Sequence, residues 1–147
     1  MDELDLTPWM VPAAAELGTK EIVDGRANPR IKDYFRATGF PAGDAQDAWC
    51  SAFANWCLKQ AGVKGTRSAA ARSWLRWGRE LETPVPGCIV VFSRPPNPSS
   101  GHVAFYQSET PAHVYVLGGN QANRVCRRYY PRSRVLSYRM PTTSTVL

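Results

Sequence analysis

The sequence lacks any run of 18 uninterrupted apolar residues, so nothing in its 147 residues reads as a membrane-spanning helix. It also lacks the positively charged start and apolar stretch of a secretory signal, opening instead on the acidic Met-Asp-Glu-Leu-Asp. The expectation is a protein made in the cytoplasm with no signal peptide and no membrane insertion, which another system must release or deliver to any substrate outside. Histidine is scarce, with two residues in the chain, and the four cysteines include no C-x-x-C. With no H-E-x-x-H either, a zinc site is not expected, nor any other metal or cofactor. A disulfide framework is the weaker reading of four cysteines without a secretion signal. Cys50 and Cys57, seven residues apart on one helix, would stand roughly 10 Å apart along its axis, beyond disulfide reach.

The content present describes one ordinary globular domain spanning residues 1–147, with 44% hydrophobic and 20% charged residues. A net charge of +6 implies an anionic partner or milieu without choosing its chemistry. Arginines crowd the last quarter, at 124, 127, 128, 132, 134 and 139. A solvated strand face is the expected reading of that run, ahead of a dedicated binding patch. No nucleic-acid motif accompanies it, so no specific nucleic acid partner is expected, and the protein is expected to be a monomer.

Helical signals fill the first half. Thr7-Pro8 can start a helix through Leu17, with Gly18 as a stop and Pro12 as an irregularity. Asn28 caps a second helix, which Gly39 ends. Pro41, Gly43 and Asp44 mark a loop over 40–47. The run from Trp49 to Ala61 places Phe53, Trp56, Cys57 and Gln60 at helical spacing before Gly62. A short helix over Ser68 to Trp77 follows. Strand signals then take over, at 88–92, 102–107, 113–117, 124–130 and 134–139, with the proline-rich 93–101 read as a surface loop. Helices first and a β-meander second predict an α+β domain, with N-terminal helices packed on a C-terminal antiparallel sheet.

Cys50 stands apart from the other cysteines because its helix begins there. Unpaired backbone N–H groups and the positive end of the helix dipole favour a thiolate in the first turn and can also hold an oxyanion. Cys57, mid-helix on the apolar stripe, reads as a small core residue. The two histidines separate by hairpin register. If 102–107 pairs with 113–117 so that His102 faces Gly118, Asn120 emerges beside His102, while His113 lies at the far end, about 17 Å away. Asn120 would then fix the tautomer and ring plane of His102, with Gly118 and Gly119 allowing a sharp turn. Asp47, three residues before the cysteine, reads as a helix cap or a site-lining residue. Gln46 could donate to an oxyanion if its loop folds back, and Trp49 and Ser51, flanking the cysteine, are further candidates for the oxyanion and substrate side.

Four stretches, DAWCSAFANWCLKQAG, PVPGCIVVF, GHVAFY and VLGGNQ, together resemble the papain-like peptidoglycan hydrolases of the CHAP (cysteine, histidine-dependent amidohydrolase/peptidase) and NlpC type. More closely, they resemble a compact phage and bacterial subfamily. The resemblance extends over the NPRIKDYFRATG and SAAARSWLRWG segments, nearly the whole chain. It implies a papain-like cysteine hydrolase fold, with Cys50 as nucleophile, His102 as base and Asn120 as third member. It also implies an amide of bacterial peptidoglycan as substrate, cut within the stem peptide or between muramic acid and L-alanine. The chain departs from some relatives in having no wall-binding module and no calcium loop of alternating aspartates. An endolysin released to the wall by a separate pore is the leading expectation. The alternatives are a delivered antibacterial effector with the same chemistry and a non-catalytic papain-like wall-binding domain.

Overall fold

A computed structural model describes residues 7–22, 28–39 and 49–142. Three helices come first: α1 (Met10–Ala15), α2 (Pro29–Arg36) and α3 (Cys50–Gln60). A 3₁₀ helix over Ala71–Arg76 leads into six strands, β1 (Arg79–Leu81), β2 (Ile89–Arg94), β3 (Asn97–Glu109), β4 (His113–Gln121), β5 (Arg124–Pro131) and β6 (Val135–Met140).

The helix ends follow local chemistry. Asn28 accepts a hydrogen bond from the Arg30 amide at 2.8 Å, and Pro29 takes the first position, where a missing N–H costs nothing. In the 3₁₀ helix and at its end, Trp74 and Trp77 meet edge to face with centroids 5.0 Å apart. That i, i+3 contact suits the eclipsed side chains of a 3₁₀ turn, which replaces the α-helix expected over Ser68 to Trp77.

The strands make one antiparallel sheet in the order β1-β6-β2-β3-β4-β5. Only β2 to β5 form a meander. β6 returns to the other side of β2 and pairs outward with the short β1, which the sequence patterns did not indicate. The segment expected as a surface loop is mostly hairpin, since Arg94 pairs with Asn97 and only Pro95 and Pro96 lie between the strands. Pro95 and Pro96 in that turn break no ladder bond, and Pro98, inside β3, falls where the register shift between Ser93 and Arg94 leaves 98–100 without partners on β2.

Helix α3 is the centre of the core. Eight of its residues are buried, among them Phe53, Cys57 and Leu58, and Phe53 meets Phe105 of β3 at 6.3 Å. Tyr34 of α2 covers α3 from the other side, against Trp49, Phe53 and Trp56. At Gly119 of β4 the approach is so close that a Cβ would lie 2.8 Å from both Phe53 and Trp49. The glycine is needed for helix-to-strand contact rather than for a turn.

One buried polar network fixes the chain after α3. Asn55 accepts from the Arg67 amide at 2.8 Å and donates to the Ser51 carbonyl at 3.0 Å, tying the returning segment to the helix. Ser51 extends the network, donating to the Ser68 carbonyl at 2.6 Å and accepting from the Trp74 indole at 2.8 Å. Burial of these polar groups is tolerated because each has a partner.

Candidate active site

Helix α3 places Cys50 in its first turn, and β3, which carries His102, packs against that helix. The thiol lies against the backbone N–H of Val103, the residue after His102, and is also approached by the amides of Ser51 and Cys50 itself. Both side chains are buried. Burial pushes the thiol pKa above its ordinary value, and the amides and the nearby Arg94 charge offset this only in part. The amides of the helix start favour a thiolate as expected, but burial weighs the other way and more heavily.

His102 is walled by rings, with Phe92 at 6.0 Å and Tyr130 at 5.1 Å. Burial is the main reason its pKa drops to about 4, with Arg94, Arg134 and Arg128 pushing the same way against a hydrogen bond to Gln121. At neutral pH the resting pair is thus a neutral thiol and a neutral imidazole. The tautomer follows from the partners. The Gln121 side-chain amide donates from Nε2 to the Cys126 carbonyl at 2.7 Å, which turns its Oε1 toward His102 Nε2 at 2.8 Å. An amide oxygen only accepts, so Nε2 carries the hydrogen and Nδ1 keeps its lone pair. Nδ1 is buried with no hydrogen-bond partner among the described residues.

Gln121, not Asn120, is the residue on the imidazole, which corrects the expected placement. Asn120 adopts a left-handed backbone with φ 56° at an irregularity in the β4–β5 pairing between Gly118 and Gln121. Such a residue offsets the strict alternation of side chains along a strand. Asparagine tolerates this conformation better than most residues, so Asn120 serves the site through its backbone. The turn that follows, Ala122 and Asn123, has φ 52° and 62° and closes the β4–β5 hairpin, with Gln121 paired to Arg124. Gly118 has no left-handed backbone. A Cβ there would lie 2.8 Å from both the Ala104 side chain and Gln121 Oε1, so its bareness makes room for the glutamine.

The hairpin register also differs from the expected one. Phe105 faces Leu117 rather than Tyr115, a slip of two residues, and a further shift falls between Tyr106 and Ser108. A slip of two keeps every side chain on its face, which is why the His102 end still meets the Gly118–Gln121 end. His113 is exposed at the other end, its ring against Tyr129 at 6.3 Å.

Of the further candidates, Gln46 and Asp47 lie outside the described residues. Trp49 is a core residue, fully buried, with its indole donating to Glu21 at 3.0 Å. The Ser51 side chain is equally buried and committed to the Ser68 and Trp74 bonds, so its contribution to the site is its amide. Cys57 and Cys88 are buried, Cys126 is partly exposed, and all four cysteines are free. The described residues contain no group of three or more His, Cys, Asp or Glu side chains placed to hold a metal ion.

Beside His102 opens a cavity of about 380 Å³, lined by Arg94, Asn120, Gln121, Arg128, Tyr130 and Arg134 among others. Sequence reasoning missed both Gln121 and this convergence. The arginines come from β2, β5 and the 3₁₀ turn before β6, and nothing in their spacing brings 94 to 128 and 134.

A buried thiol at a helix start beside a strand-borne imidazole defines the class, a papain-like cysteine hydrolase fold. The CHAP domain model matches residues 42–120, more than half of the chain, and the protein belongs to the CHAP domain family. It is thereby a peptidoglycan-hydrolase-type domain. Among solved structures, the chain is similar to a lipoprotein-like protein of the NLP/P60 family from Staphylococcus aureus subsp. aureus Mu50. The TM-score is 0.54 at 16% identity over 97% of this chain. The chain spans 44% of that structure's chain, and the likeness is one of fold. No curated protein matches the sequence.

Proposed function

We propose that this protein cleaves an amide bond of bacterial peptidoglycan by cysteine nucleophilic catalysis, as a single catalytic domain of the endolysin type. The observation that carries the reading is the His102 imidazole. One nitrogen is locked by Gln121, and the other is bare and buried one residue from the amide that touches the Cys50 thiol.

In this reading His102 Nδ1 takes the proton of Cys50 as Sγ attacks the scissile carbonyl. The oxyanion that forms is received by the α3 amides of Cys50 and Ser51. The imidazolium then passes its proton to the departing amine. Water, deprotonated by the same nitrogen, splits the thioester and restores the thiol. Gln121 takes the orienting role expected of Asn120, by holding Nε2–H through both proton transfers. Because the resting pair is neutral, the thiolate does not form ahead of the attack: the proton passes to Nδ1 as Sγ bonds to the carbonyl. Synthesis in the cytoplasm and release to the wall by a separate pore complete the proposal.

The test is digestion of isolated peptidoglycan by the wild type and by Cys50→Ala, with new chain ends identified by mass spectrometry. Wild type should release defined fragments and the variant none. No release by the wild type, or equal release by the variant, would sink the proposal, and the identity of the new ends names the bond.

A further inference from the structure

The cavity behind Gln121 and Tyr130, both of which touch His102, is lined by three guanidinium groups and, among the described residues, by no acid. Arg134 is fixed in place, donating from Nε and Nη2 to the Ser93 carbonyl at 3.0 and 2.9 Å and lying over the Tyr130 ring at 5.3 Å. Arg94 and Arg128 are exposed and enter no ion pair among the described residues. Three of the other late arginines are occupied: Arg132 pairs with Glu109 at 2.8 Å, Arg139 donates to the Trp77 carbonyl, and Arg127 donates to Gln107. Among the described residues these three like charges have no counter-charge and repel one another, and only Arg134 commits donors to a backbone carbonyl. The cost makes sense where an anion arrives from outside.

We propose that Arg94, Arg128 and Arg134 form a carboxylate-binding subsite that anchors a free carboxylate of the peptide substrate next to the scissile amide. This rests on the hydrolase reading and deepens it. The cavity shares Gln121 and Tyr130 with the surroundings of His102, so an anion seated there belongs to the same small stretch of substrate as the bond being cut. A planar carboxylate matches the guanidinium fork with two parallel N–H donors.

Docking has a second effect. Among the described residues the groups around His102 are Phe92 and Arg94 from β2, Gln121 from β4, Arg128 and Tyr130 from β5, Arg134 from the 3₁₀ turn and, against the next residue's amide, the Cys50 thiol of α3, and none is a carboxylate. The three cations oppose its protonation. A bound carboxylate offsets them, so substrate itself makes His102 a better proton acceptor.

The experiment has a binding arm that needs no turnover. His102 ring signals are followed by NMR in the full-length protein as three probes are added: a soluble wall stem peptide with free carboxylates, the same peptide with every carboxylate amidated, and inorganic phosphate. The free peptide should shift the ring signals and raise the pH at which they titrate. The amidated peptide should not, phosphate should act more weakly than the free peptide, and Arg128→Gln should abolish the response where Arg128→Lys keeps part of it. Equal binding of the amidated peptide, or tighter binding of phosphate than of the peptide, overturns the subsite. In the kinetic arm, amidating peptidoglycan carboxylates should lower wild-type kcat/KM about tenfold or more, the size of one lost charge-assisted bond. Arg94→Gln and Arg128→Gln should lose a similar factor on untreated wall and respond little to amidation. A variant as sensitive to amidation as wild type overturns it too. If no form cleaves the wall, the hydrolase reading fails while the binding arm still decides the subsite.

Discussion

His102 and His113 occupy opposite ends of the β3–β4 hairpin and share almost nothing else. His102 is fully buried between Phe92 and Tyr130, hydrogen-bonded on one nitrogen, bare on the other, and held near neutrality down to about pH 4. His113 is exposed, with a tyrosine edge as its ring neighbour. The same side chain on the same hairpin becomes a buried imidazole with one bare nitrogen or a surface residue according to what the rest of the chain packs around it. For His102 that means α3 from the first half of the sequence, Gln121 from β4, and Tyr130 with the arginines from the last quarter.

The comparison breaks most sharply under substitution. His102→Ala should cut peptidoglycan release by about a thousandfold, in the range of a lost general base. His113→Ala should leave the rate within about twofold, as surface changes usually do. Release assays on the two variants decide this, and the reverse order would mean the wrong end of the hairpin has been assigned.

Acid stability is the next largest effect. Between pH 6.5, the ordinary imidazole value, and about 4, unfolded chains take up a proton that folded His102 refuses. The unfolded state therefore binds more protons across that window, so stability rises with pH through it and falls as pH drops, by about 3 kcal/mol in all. Urea unfolding midpoints between pH 7 and 4 measure this slope, and His102→Gln should flatten it.

The smallest effect separates Gln121 from Asn120. Gln121→Ala removes the acceptor on Nε2 and should lower kcat by about ten- to a hundredfold, in line with one buried hydrogen bond left unmade. Gln121→Glu should move the acid limb of the pH–rate profile upward, since a carboxylate favours the imidazolium. Asn120→Gly keeps the left-handed backbone and should cost less than about threefold. A larger loss at 120 than at 121 would restore Asn120 as the residue acting on the ring.

Much of this was legible in the residues. Asn28-Pro29 start α2 where a cap and a first-turn proline should, and the α3 helix appears with Cys50 at its head because apolar spacing and Gly62 bound it. The strand runs fell close to their observed places, and the two-residue error in the hairpin register did no harm because it preserved faces. Harder to see was β6, whose partner β2 lies more than 40 residues earlier, and β1, three residues long with only β6 to pair with. Proline content misled at 93–101, where the hairpin needs only two of the residues as a turn.

By itself, the sequence determined most of the elements, the α+β class, the cysteine at a helix start and which histidine lies at the Gly118–Gln121 end of the hairpin, because each depends on local period, caps and strand parity. The tertiary structure alone decided three things. Burial outweighed the helix dipole at Cys50 and set the resting pair neutral. A single left-handed residue, Asn120, passed the imidazole to Gln121. Strand order gathered Arg94, Arg128 and Arg134 around one cavity. In each case the deciding quantity is a distance or a dielectric between residues far apart in the chain, which no local pattern contains.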